Sequence, residues 1–105
     1  MTLFFLARRR PRADYRVFVH AYPEDPERLP PARRPHGFFN LDHDPLVPAR
    51  RWPRGRAYAD EVVLSVLPPG RYRIEAGLFD AGSGAVLVSA DAGGIELAAG
   101  RDGAR

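Results

Sequence analysis

The sequence predicts an all-β domain, and three observations lead there. From Arg71 to Leu78 the side chains alternate, with Tyr72, Ile74, Ala76 and Leu78 on one face and Arg71, Arg73, Glu75 and Gly77 on the other. Period two over eight residues marks a half-buried strand. Turn-forming residues recur at short intervals: Pro68-Pro69-Gly70, Asp80-Ala81-Gly82-Ser83-Gly84 and Gly93-Gly94. Eleven prolines spread through 105 residues leave no room for long helices, because proline lacks the N–H that a helix interior needs.

Taken in order, the expected strands are residues 2–7, 14–22, 37–42, 61–67, 71–79, 85–90 and 94–98. The first, TLFFLA, is too short for a membrane span and is followed, not preceded, by Arg8, Arg9 and Arg10, so it does not read as a signal peptide. In the second, Tyr15, Val17 and Val19 face one way and Arg16, Phe18 and His20 the other, with bulk on both faces, as in a central strand. The fourth, EVVLSVL, is apolar on both faces after Glu61 except at Ser65 and also reads as central. Pro69-Gly70 suits the middle of a type II turn, and residues 80–84 form a glycine-rich hairpin loop. Residues 23–36, PEDPERLPPARRPH, carry five prolines and mixed charge and read as an irregular loop, as does 45–59. About seven short strands with turns every 8–12 residues predict a single immunoglobulin-like antiparallel β-sandwich over residues 1–99, with 100–105 as a tail. A small closed barrel is the alternative.

Composition narrows the function classes. There is no cysteine, which excludes disulfides, thiolate metal sites and cysteine catalysis. All 16 basic residues are arginine, yet the formal net charge is only +3, too small to argue for nucleic acid. The charge is uneven: residues 1–56 hold 12 arginines against 6 acids, and 57–105 hold 4 against 7. No stretch is long enough to span a membrane, and the residues leave the compartment open.

Three stretches in succession, LFFLARRRPRADYRVFVHAY, NLDHDPLVPARRWPRG and LPPGRYRIEAGLFDAGSGAVL, cover most of residues 2–88. Together they resemble a bacterial β-sandwich domain that serves as a C-terminal or accessory module of envelope proteins, including membrane glycosyltransferases of the mannosyltransferase type. The resemblance implies an immunoglobulin-like fold and an extracytoplasmic or envelope setting. It brings no defined activity. The chain opens directly at the first strand, and its loop after His20 is richer in proline than the family pattern.

Two groups of residues have chemistry to offer. Asp42-His43-Asp44 is the sharpest local cluster, and His20, His43 and Asp42 form a candidate metal set if residues 37–42 lie beside 14–22. The same aspartates serve equally to cap a turn. A His43–aspartate dyad lacks a nucleophile in an elbow motif. The aromatics are the other resource: Trp52 and Tyr58 beside Asp42, His43 and Asp44 make a candidate ligand-binding face, where a ring platform with directional hydrogen bonds would suit carbohydrate. Core packing is the competing role for Trp52. Asp60 is expected to orient Arg54 or Arg56. No cofactor and no catalytic residue is assigned. The expected function is a non-catalytic accessory module binding carbohydrate or another envelope protein domain. A homodimer through an edge strand, at residues 2–7 or 94–98, is the alternative, and a small metal-binding protein or enzyme using His20, His43 and Asp42 is the third reading.

Overall fold

A computed structural model of the chain describes residues 1–97. The expected tail, residues 100–105, and the end of the last expected strand lie outside the described residues. The fold is all-β, with two sheets facing each other across one apolar core. The smaller sheet pairs β1 (Thr2–Leu6) with β4 (Ala57–Glu61). The larger runs in the order β3 (Phe39–Asn40), β2 (Arg16–Pro23), β5 (Gly70–Phe79), β6 (Val86–Leu97). All pairings among the described residues are antiparallel.

The alternation that predicted β5 decides the core. Tyr72, Ile74, Ala76 and Leu78 are buried, and so are Val17, Val19 and Ala21 on the same face of β2. Leu3, Phe5 and Tyr58 of the small sheet pack onto them from the other side. The central position expected for residues 14–22 holds: β2 lies between β3 and β5.

Three elements differ from expectation. Residues 62–67 are not a strand; the partner of β1 is the preceding segment, Ala57–Glu61. Val62 and Leu67 still enter the core, whereas Val63 and Val66 are exposed. An apolar run reports that side chains seek burial and does not say which backbone finds a partner. The two last strands are one, because Gly93 and Gly94 continue the ladder opposite Ile74 and Arg73. The strand absorbs its irregularities as register shifts, at Ile74/Glu75 and at Leu78/Phe79. The proline-rich segment is folded compactly, with single 3-10 turns at Pro26–Arg28 and Pro31–Arg33. Leu29 between them is fully buried, and the Arg34 guanidinium donates to the Leu29 carbonyl at 3.1 Å.

The outer face of the large sheet is also packed. Phe18 lies directly across Gly77, its partner on β5. A Cβ at position 77 would stand 2.5 and 2.8 Å from the Phe18 ring and would collide with the Val88 carbonyl. Phe79 flanks Phe18, and the His20 ring stacks on Phe38 at 4.0 Å between centroids. The Arg73 guanidinium sits 4.3 Å from the Tyr22 ring centroid. The hairpin between β5 and β6 closes as its glycines predicted: Gly84, at a φ of +77°, donates to the Asp80 carbonyl at 2.7 Å.

Gly77→Ala is therefore expected to destabilise the domain by at least 1–3 kcal/mol, roughly the usual cost of overpacking, read as a lower urea midpoint. Tyrosines set an alkaline limit. Burial pushes the Tyr72 hydroxyl above its ordinary 10.0, with Arg28 pulling the other way. Burial also raises Tyr22, helped by its hydrogen bond to Glu75. Because the folded values are the higher ones, this stabilisation is fully present below the unfolded value of 10.0 and is lost as pH rises through the folded ones. Urea midpoints measured from pH 8 to about 11.5 should stay level to about 9 and fall above 10. Tyr72→Phe, which strips the 2.6 Å bond to the Pro68 carbonyl, should cost about 1 kcal/mol at neutral pH. It should also show a shallower alkaline decline.

Candidate functional site

Residues 39–44 run along the free side of β2 in a single register: Phe39 opposite Ala21, Asn40 opposite His20, and His43 opposite Val17. His43 and Val17 exchange both backbone bonds at 2.9 Å. Two positions along, the ladder is altered. Leu41 donates to the Val19 carbonyl at 2.8 Å, but the Val19 N–H is taken by the Asp42 carboxylate at 2.9 Å. The Leu41 carbonyl is released and accepts from His43 Nδ1 at 2.9 Å. Asp42 thus replaces a backbone acceptor with a side-chain one. Its own N–H donates to Asn40 Oδ1 at 2.8 Å.

Alternation then separates the neighbours. His43 stands opposite inward-facing Val17, so its ring enters the space between the sheets. Its Nε2 lies 2.7 Å from Asp60 of β4, the one charged residue buried among those described, at 4% exposure. Asp60 was expected to hold an arginine; it holds His43 instead, because residue 60 faces inward beside Tyr58, whereas Arg54 and Arg56 lie exposed in the preceding turn. Both ring nitrogens face acceptors. The Leu41 carbonyl can only accept, so Nδ1 donates to it, and Nε2 is engaged by the Asp60 carboxylate. The pair is a tie between the two sheets.

Asp42 and His20 lie on the opposite, outer face, with His20 Nε2 3.3 Å from the Asp42 carboxylate. The metal set His20, His43 and Asp42 is consequently split by the sheet and does not converge on one ion. Among the described residues no group of three or more His, Asp or Glu is placed to hold a metal. Asp44 is exposed and pairs with Arg16 at 2.9 Å, a surface contact worth about 1 kcal/mol or less.

The expected ring platform is also redirected. Trp52 is 1% exposed. It stacks on Tyr58 at 4.4 Å and on Phe5 at 5.8 Å between centroids. Its Nε1 donates to the Val47 carbonyl at 2.7 Å, and the Val47 N–H donates to the Tyr58 hydroxyl at 3.2 Å. Trp52 is a core residue that anchors the loop before β4, and neither it nor Tyr58 offers a face to a sugar in company with Asp42, His43 and Asp44.

The structure shows a different concavity. A groove of about 470 Å³ opens between the end of β1 and the start of β6. Its walls include Phe4, Leu6, Leu87 and Val88, and Trp52 lies at its floor. Phe4 and Leu6 are 71% and 58% exposed. Arg8, Arg9, Arg10 and Arg12 line one end. Sequence reasoning missed the groove as a unit. The available signal was the pair of apolar residues on the alternate positions of a strand whose other face is also apolar, followed at once by arginines.

Comparison with known protein families, characterised proteins and solved structures gives no match to this chain.

The tie between sheets makes a clear prediction. His43→Ala should cost about 3 kcal/mol, the low end for breaking a buried pair, since the ring is 29% exposed and water can reach Asp60. Asp60→Asn should cost less, because an amide still fills the site and bonds to the ring. Replacing both residues by leucine should recover most of the loss, because no charge is then left without a partner. Urea denaturation of the two single variants and the double variant measures this coupling.

Proposed function

We propose that this domain is a non-catalytic accessory module that binds a protein partner on its open side, in the envelope setting that its sequence resemblance implies. The supporting observation is the groove between β1 and β6. There a strand with no neighbour on one side, among the described residues, lies next to exposed apolar side chains, and isolated apolar patches of that kind mark interaction sites. The non-catalytic reading is supported by the engagement of His43, whose two ring nitrogens are both committed to bonds within the fold. The carbohydrate version loses its platform with the burial of Trp52. The immunoglobulin-like relationship remains part of the proposal, on the strength of the two facing antiparallel sheets.

Self-assembly is the second reading. It is favoured by Phe4, Leu6, Val86, Leu87 and Val88, all exposed on β1 and β6, each an edge strand of its sheet among the described residues. A photo-crosslinking residue at position 87, in the groove wall, tests both readings in extracts of the source cells. A discrete product with a heterologous protein, absent when the probe sits at exposed position 32 and lost to competition by excess unlabelled domain, is expected. A product of twice the chain's 11.7 kDa would favour self-assembly. No discrete product, or the same products from both positions, would defeat the interaction reading.

A further inference from the structure

The backbone of β1 says how a partner would bind. Met1 and Val62 exchange backbone bonds in both directions, at 3.1 and 2.7 Å. In an antiparallel pair such bonds fall on alternate residues. With Leu3 opposite Asp60 and Phe5 opposite Tyr58, residues 3 and 5 bond to β4. Thr2, Phe4 and Leu6 therefore point their N–H and C=O groups away from it. Among the described residues, none of these groups has a backbone partner outside the β1–β4 pair. The edge carries neither proline nor charge, the usual devices that keep strands from pairing.

Arginines stand at one end of this edge. Arg8, Arg9, Arg10 and Arg12 all line the groove, and none makes an ion pair or side-chain hydrogen bond with another described residue. Four cations within five residues, without acids, make a field that favours a negatively charged ligand. The opposite wall adds apolar surface. The register shift at Leu78/Phe79 leaves Leu87 as an extra residue between Val86 and Val88. Leu87 and Val88 consequently both reach the groove.

We propose that the groove takes an extended segment of a partner protein, added as an antiparallel strand to the free edge of β1, with acidic side chains where it meets Arg8, Arg9, Arg10 and Arg12. This rests on the interaction-module reading and names the partner's chemistry. Strand addition accounts for three observations together: main-chain bonds satisfy the edge, alternate apolar side chains meet Leu87 and Val88, and carboxylates meet the guanidinium groups. An anionic amphiphile would match the apolar walls and the charge but leave the backbone edge unpaired. A second copy would supply an edge but no acidic cluster; the carboxylate nearest to Thr2 is Glu61, a single residue already bonded to the Thr2 hydroxyl at 2.6 Å.

The probe is a synthetic peptide of alternating valine and threonine with three glutamates at its N-terminal end, the end that antiparallel pairing brings to the arginines. Two control peptides carry glutamine or lysine in place of glutamate. Titration at low salt should show the glutamate peptide binding at least about tenfold more tightly than the glutamine one. Arg8→Glu with Arg10→Glu should abolish that preference and transfer it to the lysine peptide. Both positions are loop residues outside the core, so the fold should survive. Hydrogen exchange at the Phe4 and Leu6 amides should slow at least about tenfold with peptide bound, and methylating alternate peptide nitrogens should remove both binding and protection. Equal affinity for the glutamine peptide would overturn the acidic requirement. Uptake of dodecyl phosphate without amide protection, in the absence of peptide binding, would replace the strand by an amphiphile. A dimer whose Phe4 and Leu6 amides are already protected without peptide would assign the edge to a second copy. If position 87 captures a partner while the glutamate peptide fails to bind, only this inference falls and the interaction reading stands.

Discussion

A carboxylate buried between two sheets requires a proton donor, and much of this fold follows from how Asp60 obtains one. Leaving it unpaired would cost several kcal/mol in desolvation. The donor is His43, reached from the opposite sheet at 2.7 Å. To hold the ring in place, the Leu41 carbonyl turns out of the ladder and receives Nδ1. Asp42 then supplies the acceptor that Val19 would otherwise lack. One buried contact thus fixes the pairing of residues 39–44 with β2 and joins the small sheet to the large one. Buried ionic groups give modest net stability, yet they penalise alternative arrangements heavily, because each alternative strands a charge.

The same geometry explains where the aromatic residues go. The small sheet has two strands and the large one four, so β1 and β4 cannot cover the whole inner face. Trp52, Tyr58 and Phe5 fill the space under the small sheet as a stack, and the polar atoms of Trp52 and Tyr58 are satisfied by the backbone of Val47. Beyond β1 the core is left open. Phe4 and Leu6, on the strand's outer face, stay in water beside Leu87 and Val88. The exposed edge and the apolar walls lie together at this mismatch in sheet width, and the loop after β1 brings the arginines to one end of it.

Several features were legible because they are local. The inward set of β5 came directly from its alternation, and the β5–β6 hairpin from its glycines. The edge position of residues 2–7 also matched expectation, since β1 has a neighbour only in β4 among the described residues. The site was less legible. Asp42-His43-Asp44 looked like one cluster because the three are adjacent in the chain, yet in an extended segment adjacent residues point to opposite faces. The alternation rule that sorts residues 71–78, applied to 42–44, already divides the candidate metal set. Trp52 carried no such signal, as the loop that holds it has no period.

The sequence by itself determined the all-β class, the core faces of β2 and β5 and the hairpin between β5 and β6, because dihedral preferences and side-chain alternation act within a few residues. Tertiary structure decided which distant residues meet. His43 found Asp60 rather than His20, residues 57–61 rather than 62–67 paired with β1, and Trp52 became core instead of surface. Such choices compare the burial of whole segments against one another, and no short window of the chain contains both sides of that comparison.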